Sequence, residues 1–182
     1  KTTVRGLDVD LGQGFNLGSA GKLSFDVKWT HLFKFERVEG DGTVSNYAGT
    51  HGNCDVSNCM GTPKDRLNFG ASWEMNNLRV SAVANYRGSM SNKFRKEDTD
   101  CATHLANGDD APAGCRLASF TTVDLTLRWK PTPKLEISGS IQNLFDRIAP
   151  LDPLTYGAAG YNPLDFSGAV GRYYNVGLKY KF

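Results

Sequence analysis

The 182-residue chain has no run of about 18 consecutive apolar residues, so no segment of it suits a membrane-spanning helix. It also lacks a credible amphipathic helix, which removes the usual second layer that a soluble sheet packs against. Its basic residues form no stripe: 21 Lys and Arg are scattered among 19 Asp and Glu, for a formal net charge of +2. Nucleic-acid binding therefore has no electrostatic footprint. No nucleophile, base and acid form a constellation, and Gly12-Gln13-Gly14 lacks the lysine and following helix of a phosphate loop. The chain does not read as an enzyme. Nor does it open on a charged start, apolar core and cleavage site, so any secretory signal is expected to have been removed or to lie upstream of Lys1.

What the chain does have is alternation. In the last ten residues Tyr174, Val176, Leu178, Tyr180 and Phe182 fall on one face, and Tyr173, Asn175, Gly177, Lys179 and Lys181 on the other. One face suits lipid and the other suits water. A soluble antiparallel sheet with one buried face gives the same period, so a single strand does not decide between them. The rest of the chain does, because the pattern recurs along it.

Residues 3–17 place Leu7, Val9, Leu11, Phe15 and Leu17 together, and a turn at Gly18-Ser19-Ala20-Gly21 leads to 21–36. There Leu23, Phe25, Val27, Trp29, Phe33 and Phe35 oppose Ser24, Asp26, Lys28, Thr30, Lys34 and Glu36. Strands are expected again at 66–75 and 77–89, joined at Asn76-Asn77, then at 119–130 and 134–145, with Pro131-Thr132-Pro133 ending the first of these because proline cannot donate to a ladder. The final strand closes the chain. Composition agrees with a barrel wall: 40% apolar residues, 11% aromatic, 20 glycines and a negative mean hydropathy, as expected where lipid-facing and lumen-facing residues average out.

Short connections at 18–21, 76–77 and 131–133 alternate with long ones at 37–65, 90–117 and 146–170. Outer-membrane barrels do this, with short periplasmic turns and long extracellular loops. Trp73, Trp129, Tyr180 and Phe182 lie near the short-turn end, and Tyr86 and Tyr174 near the long-loop end, as interfacial belts require. The expected fold class is all-β, an antiparallel transmembrane β-barrel wall in the outer membrane of a Gram-negative bacterium. Seven strands is an odd number, and an open wall would leave unpaired backbone groups in lipid. The chain is therefore expected to be the carboxyl-terminal part of a larger barrel.

The cysteines form two local pairs, Cys54 with Cys59 and Cys101 with Cys115, each within a long connection. Zinc is the rival reading, but neither pair has the two-residue knuckle spacing, and His51 and His104 are not arranged as in a finger. Disulfides are expected, since such proteins fold through an oxidising compartment. A Cys101–Cys115 bridge would close a loop of about 15 residues and stabilise it by roughly 3 kcal/mol. Asp98, Asp100, Asp109 and Asp110 surround that pair and read as a solvated loop surface, with a cation contact as the sharper alternative. His31, on the lipid-facing parity near a strand end, reads as an interfacial aromatic.

The segment Asn143-Leu144-Phe145-Asp146, then Tyr161-Asn162-Pro163, then Gly171-Arg172 leading into Val176-Gly177-Leu178-Lys179-Tyr180-Lys181-Phe182, resembles the carboxyl-terminal end of TonB-dependent outer-membrane receptors. The likeness is specific over 134–182 and by strand pattern only over 1–133. It implies a barrel of about 22 strands, of which this chain supplies about the last seven, filled by an amino-terminal plug that has no counterpart here. It further implies uptake of a scarce ligand, of the ferric siderophore, cobalamin or glycan class, energised through the TonB complex, with no cofactor. The terminal strand, Tyr174, Val176, Leu178, Tyr180 and Phe182, resembles the signal read by the barrel assembly machinery.

By parity and direction, the lumen-facing residues nearest the outer end are Lys34, Glu36, Asn85, Arg87, Thr122, Asp124, Tyr173 and Asn175, the candidates for ligand contact. Each has the plainer alternative of lining a solvated lumen or bracing the plug. A passive porin-like channel and a soluble β-sheet binding or adhesion module remain as alternative functions.

Overall fold

The computed structural model describes residues 1–50, 62–91, 116–150 and 171–182. In chain order the strands are β1 (Thr2–Asn16), β2 (Lys22–Val38), β3 (Val44–Asn46), β4 (Asp65–Met75), β5 (Leu78–Arg87), β6 (Met90–Ser91), β7 (Arg116–Leu117), β8 (Phe120–Thr132), β9 (Leu135–Gln142) and β10 (Tyr173–Tyr180). A 3-10 turn at Gly18–Ala20 is the one helical element among the described residues. Seven strands form a continuous antiparallel wall in the order β1-β2-β4-β5-β8-β9-β10, and β3 pairs with β2. β1 and β10 are its two edges, so the wall is open.

The register carries the sequence alternation across the whole wall. Leu11, Val27, Phe69, Ala84 and Val123 lie opposite one another in turn, as do Phe15, Leu23, Trp73, Val80 and Leu127. The intervening rows are polar: Ser24, Ser72, Ser81, Thr126, Ser140 and Asn175 form one, and Lys28, Asn68, Asn85 and Thr122 another. A one-residue slip in any strand would mix these faces, so the pattern itself fixes the register. The apolar face has no second layer over it among the described residues: Leu11 is 61% exposed, Leu178 72% and Val176 82%. Such a face is stable only against an apolar medium or partner.

The short turns are chemically specified. Gly21 has φ 91°, and a Cβ there would collide with the carbonyl oxygen of Glu74 on β4, which only glycine avoids. Trp73 reaches the same turn and donates its indole N–H to the carbonyl of Ala20 at 2.8 Å. Asn76 takes φ 52° in the two-residue β4–β5 turn, a backbone state that asparagine tolerates. Asn77 then ties this turn to the next strand, donating its side-chain amide to the carbonyl of Lys130 at 2.9 Å.

Two expectations are corrected. β8 does not end at Lys130 but runs through Pro131 to Thr132. The register shifts between Trp129 and Thr132, and a bulge accommodates a residue that lacks an N–H. The long connections at 37–65 and 90–117 carry β3, β6 and β7. Asp41-Gly42 turns β2 into β3, with Gly42 at φ 85° and Glu39 donating its N–H to the Thr43 carbonyl at 2.9 Å.

The second correction concerns β2. Gly6 pairs with Leu32 and Arg5 with Lys34, so Phe33 has no partner in β1. This bulge inverts the parity of the rest of β2 relative to β1. Phe33 remains on the apolar face, its ring centroid 4.7 Å from that of His31. Phe35 instead lies opposite Val4 and stacks edge-on against buried Tyr47 at 5.5 Å. Lys34 and Glu36, opposite Arg5 and Thr3, leave the polar face to which strict alternation assigns them.

Candidate functional site

The polar face in its upper half, toward the long connections, is built by β2, β4, β5 and β8. Asn68 donates to the Asn85 side-chain oxygen at 2.7 Å, and Asn85 donates onward to Asp124 Oδ2 at 2.9 Å. Asp124 Oδ1 accepts the backbone N–H of Asn143 at 2.8 Å, so one carboxylate joins three strands to the turn after β9. At the β1 side Thr30 donates to Asp8 at 2.6 Å and Lys28 lies 3.7 Å from Asp10. These groups offer a polar wall able to contact a solvated ligand or a polypeptide surface, with no reactive constellation.

Asn143 is 5% exposed and holds φ 50°. Its side chain donates to the Arg147 carbonyl at 2.8 Å and accepts the Arg147 N–H at 2.9 Å, closing the turn on itself. Leu144 N–H reaches the Val123 carbonyl at 2.7 Å, and Asp146, at φ 53°, accepts the Arg172 N–H at 2.7 Å. The Asn-Leu-Phe-Asp segment is thus a folded knot that delivers the chain from β9 and receives it again before β10.

Of the sequence candidates, the structure brings Asn85, Thr122 and Asp124 together, with Arg87 one step higher opposite Phe120. Arg87 and Thr122 are each 6% exposed, because the chain after β3 and β5 folds over this end of the face. Tyr47, Ala48, Met90, Leu117 and Phe120 are buried there. Thr50 donates to the Tyr47 carbonyl at 2.8 Å, Thr62 donates to the same oxygen, and Ser91 N–H reaches the Gly49 carbonyl at 2.8 Å. Sequence reasoning missed this cap. Its only local signals are the Asp41-Gly42 turn and the short alternating run after it.

The other candidates lie elsewhere. Asn175 pairs with Ser140 and Tyr173 with Gln142 at the β9–β10 side. Lys34 and Glu36 bind each other at 2.6 Å. His31, on the apolar face, lies 2.7 Å from Asp65 Oδ1, which also accepts the Trp29 indole N–H at 3.1 Å. The histidine serves as one ring of an aromatic row with Trp29 and Phe33. No group of three or more His, Cys, Asp or Glu able to hold a metal occurs among the described residues. Cys54, Cys59, Cys101, Cys115, His51, His104, the Asp98–Asp110 cluster and Tyr161-Asn162-Pro163 lie outside the described residues.

The open antiparallel wall and its two chemically distinct faces define a barrel segment. Residues 1–144 match the family model described as TonB dependent receptor-like, beta-barrel, and the chain belongs to that family. Among solved structures it is similar to a mutant ferric enterobactin receptor from Pseudomonas aeruginosa in complex with enterobactin, at 19% identity and a TM-score of 0.59, over 100% of this chain and 23% of that one. It is also similar to the FrpB iron transporter from Neisseria meningitidis, at 17% identity and a TM-score of 0.57, over 100% of this chain and 24% of that one. These likenesses concern the fold, and the chain spans less than a quarter of either receptor. No curated protein sequence matches it.

Proposed function

We propose that this chain is a stretch of the outer-membrane barrel wall of a TonB-dependent receptor that captures a scarce ligand at the cell surface and imports it. The observation that carries the reading is the apolar face, continuous over seven strands and uncovered among the described residues. A soluble sheet would cover such a surface, whereas lipid is its natural solvent. In this reading the connections at 37–65, 90–117 and 146–170 are extracellular, the polar face lines the lumen, and the upper polar wall from Asn68 to Asp124 is the part available to ligand. The proposed ligand class is a ferric siderophore, supported by the names of the ferric enterobactin receptor and the iron transporter. The two cysteine pairs would hold the extracellular connections in shape.

The test uses the full-length receptor in cells deleted for it. Uptake of radioiron-loaded siderophores should require both the receptor and a functional TonB complex. Receptor-dependent ion conductance in planar bilayers, with no TonB requirement for uptake, would make it a passive channel. Release of the protein from cells without detergent would make it a surface binding module.

A further inference from the structure

The lower half of the polar face holds a second feature that the transport reading does not use. A basin of about 430 Å³ opens on this face, lined by Arg79, Arg128, Ser81, Thr126, Ser140 and Asn175 among others. Arg79 on β5 and Arg128 on β8 lie directly opposite each other in the register. Like charges placed so are mutually destabilising unless something lies between them. The neighbouring carboxylate does not resolve the conflict. Glu136 is shared, lying 3.6 Å from Arg128 and 3.5 Å from Lys130. Arg79 has no ion pair or hydrogen bond among the described residues, although Glu74 faces it from β4.

We infer that this basin is a binding station for a carboxylate, clasped between the guanidinium groups of Arg79 and Arg128 and bordered by hydroxyls and the Asn175 amide. Guanidinium forks match carboxylates in a bidentate geometry that lysine cannot reproduce. The serine and threonine hydroxyls can donate to the same anion, since a hydroxyl proton rotates to suit its acceptor. The carboxylate has two sources with one chemistry. It belongs to an acidic side chain of polypeptide packed within the barrel, or to a small carboxylate in solution. The inference takes the polar face as the lumen, but its chemistry is independent of what the receptor transports.

The test is made on the full-length receptor in detergent, with succinate as the soluble probe. Variants are Arg79→Gln, Arg128→Gln, the pair Arg79→Lys with Arg128→Lys, and Lys130→Gln as a control on the same face. Saturable succinate binding to the unaltered receptor, weakened roughly tenfold or more by either glutamine variant, supports a free anion. Absence of succinate binding, together with a lowered Tm in both glutamine variants but not in Lys130→Gln, supports a side-chain carboxylate already in place. In either case the lysine pair, which keeps the charge and loses the fork, should fall between. An empty basin gives the opposite sign: removing one arginine relieves repulsion, and Tm stays level or rises. That result, with no succinate binding, overturns the inference. Failure of the lumen assignment would appear separately, as quenching of a fluorophore at residue 126 by lipid-soluble quenchers.

Discussion

The Asn85 side chain donates to Asp124 at 2.9 Å across the β5–β8 pair, and the other oxygen of that carboxylate holds the Asn143 N–H at 2.8 Å. A single acidic residue thus couples the polar wall to the turn after β9. Asp124→Ala would leave the partly buried Asn143 N–H without an acceptor. The expected cost is about 1.5–3 kcal/mol, the range for hydrogen bonds to charged groups. Trypsin should then cleave more readily after Arg147, whose carbonyl and N–H are both tied to Asn143. Digestion of the full-length receptor checks this, and an unchanged rate at Arg147 would show that the turn stands without Asp124.

Neighbouring residues in the middle of β8 lie on opposite faces of the wall. Leu125 lies in the apolar row with Ala82 and Ile141, and Thr126 in the polar row with Ser81 and Ser140. Leu125→Arg should destabilise the barrel by about 2–4 kcal/mol, the cost of a cation at the bilayer midplane. Thr126→Arg should cost far less, since its head reaches water. Denaturant unfolding in lipid vesicles separates the two, and equal costs would mean that the faces are misassigned.

The bulge at Phe33 makes a finer claim about sidedness. Phe33 stays on the apolar face beside His31 and is 58% exposed, whereas Phe35 turns to Tyr47. Strict alternation would put both rings in lipid. A fluorophore attached at residue 33 should be quenched by brominated lipid, and one at residue 35 should not. Equal quenching at both sites would remove the inversion and return Lys34 and Glu36 to the lumen.

The wall was legible in the sequence because each strand carries its own face. Leu23, Phe25, Val27 and Trp29 need no tertiary information to share a side, and the positions of the turns follow from Gly21, Asn76 and Asn77. What alternation does not encode is a skipped residue. Nothing in His31-Leu32-Phe33-Lys34 marks the bulge, which lies where Gly6 of β1 leaves room for the His31 carbonyl, 3.0 Å from where a Cβ would stand. The cap over Arg87 and Thr122 was illegible for a related reason. Tyr47, Met90, Leu117 and Phe120 come from separated segments, and only tertiary contact makes them a core. At the polar face, parity and direction put Asn85, Thr122 and Asp124 forward as candidates, but the opposition of Arg79 and Arg128 emerges only once β5 and β8 are in register.

Phe182 separates assembly from stability. Its ring is fully exposed and lies edge-on to that of Tyr180 at 5.3 Å, two residues beyond the end of β10, an edge strand of the wall. Burial therefore gives it little hold on the folded wall within this chain. If the terminal residues Tyr174, Val176, Leu178, Tyr180 and Phe182 are read by the barrel assembly machinery, the effect of losing the ring is kinetic. Phe182→Ser should lower the amount of receptor reaching the outer membrane several-fold. The molecules that do arrive should unfold at the unaltered temperature, since a surface substitution without buried partners changes stability by no more than about 0.5 kcal/mol. Quantifying receptor in membrane fractions, beside its thermal unfolding, reads both quantities on the same preparation. A full yield would show that assembly does not use the terminal ring, and a lowered Tm would show that the ring packs against a strand outside this chain.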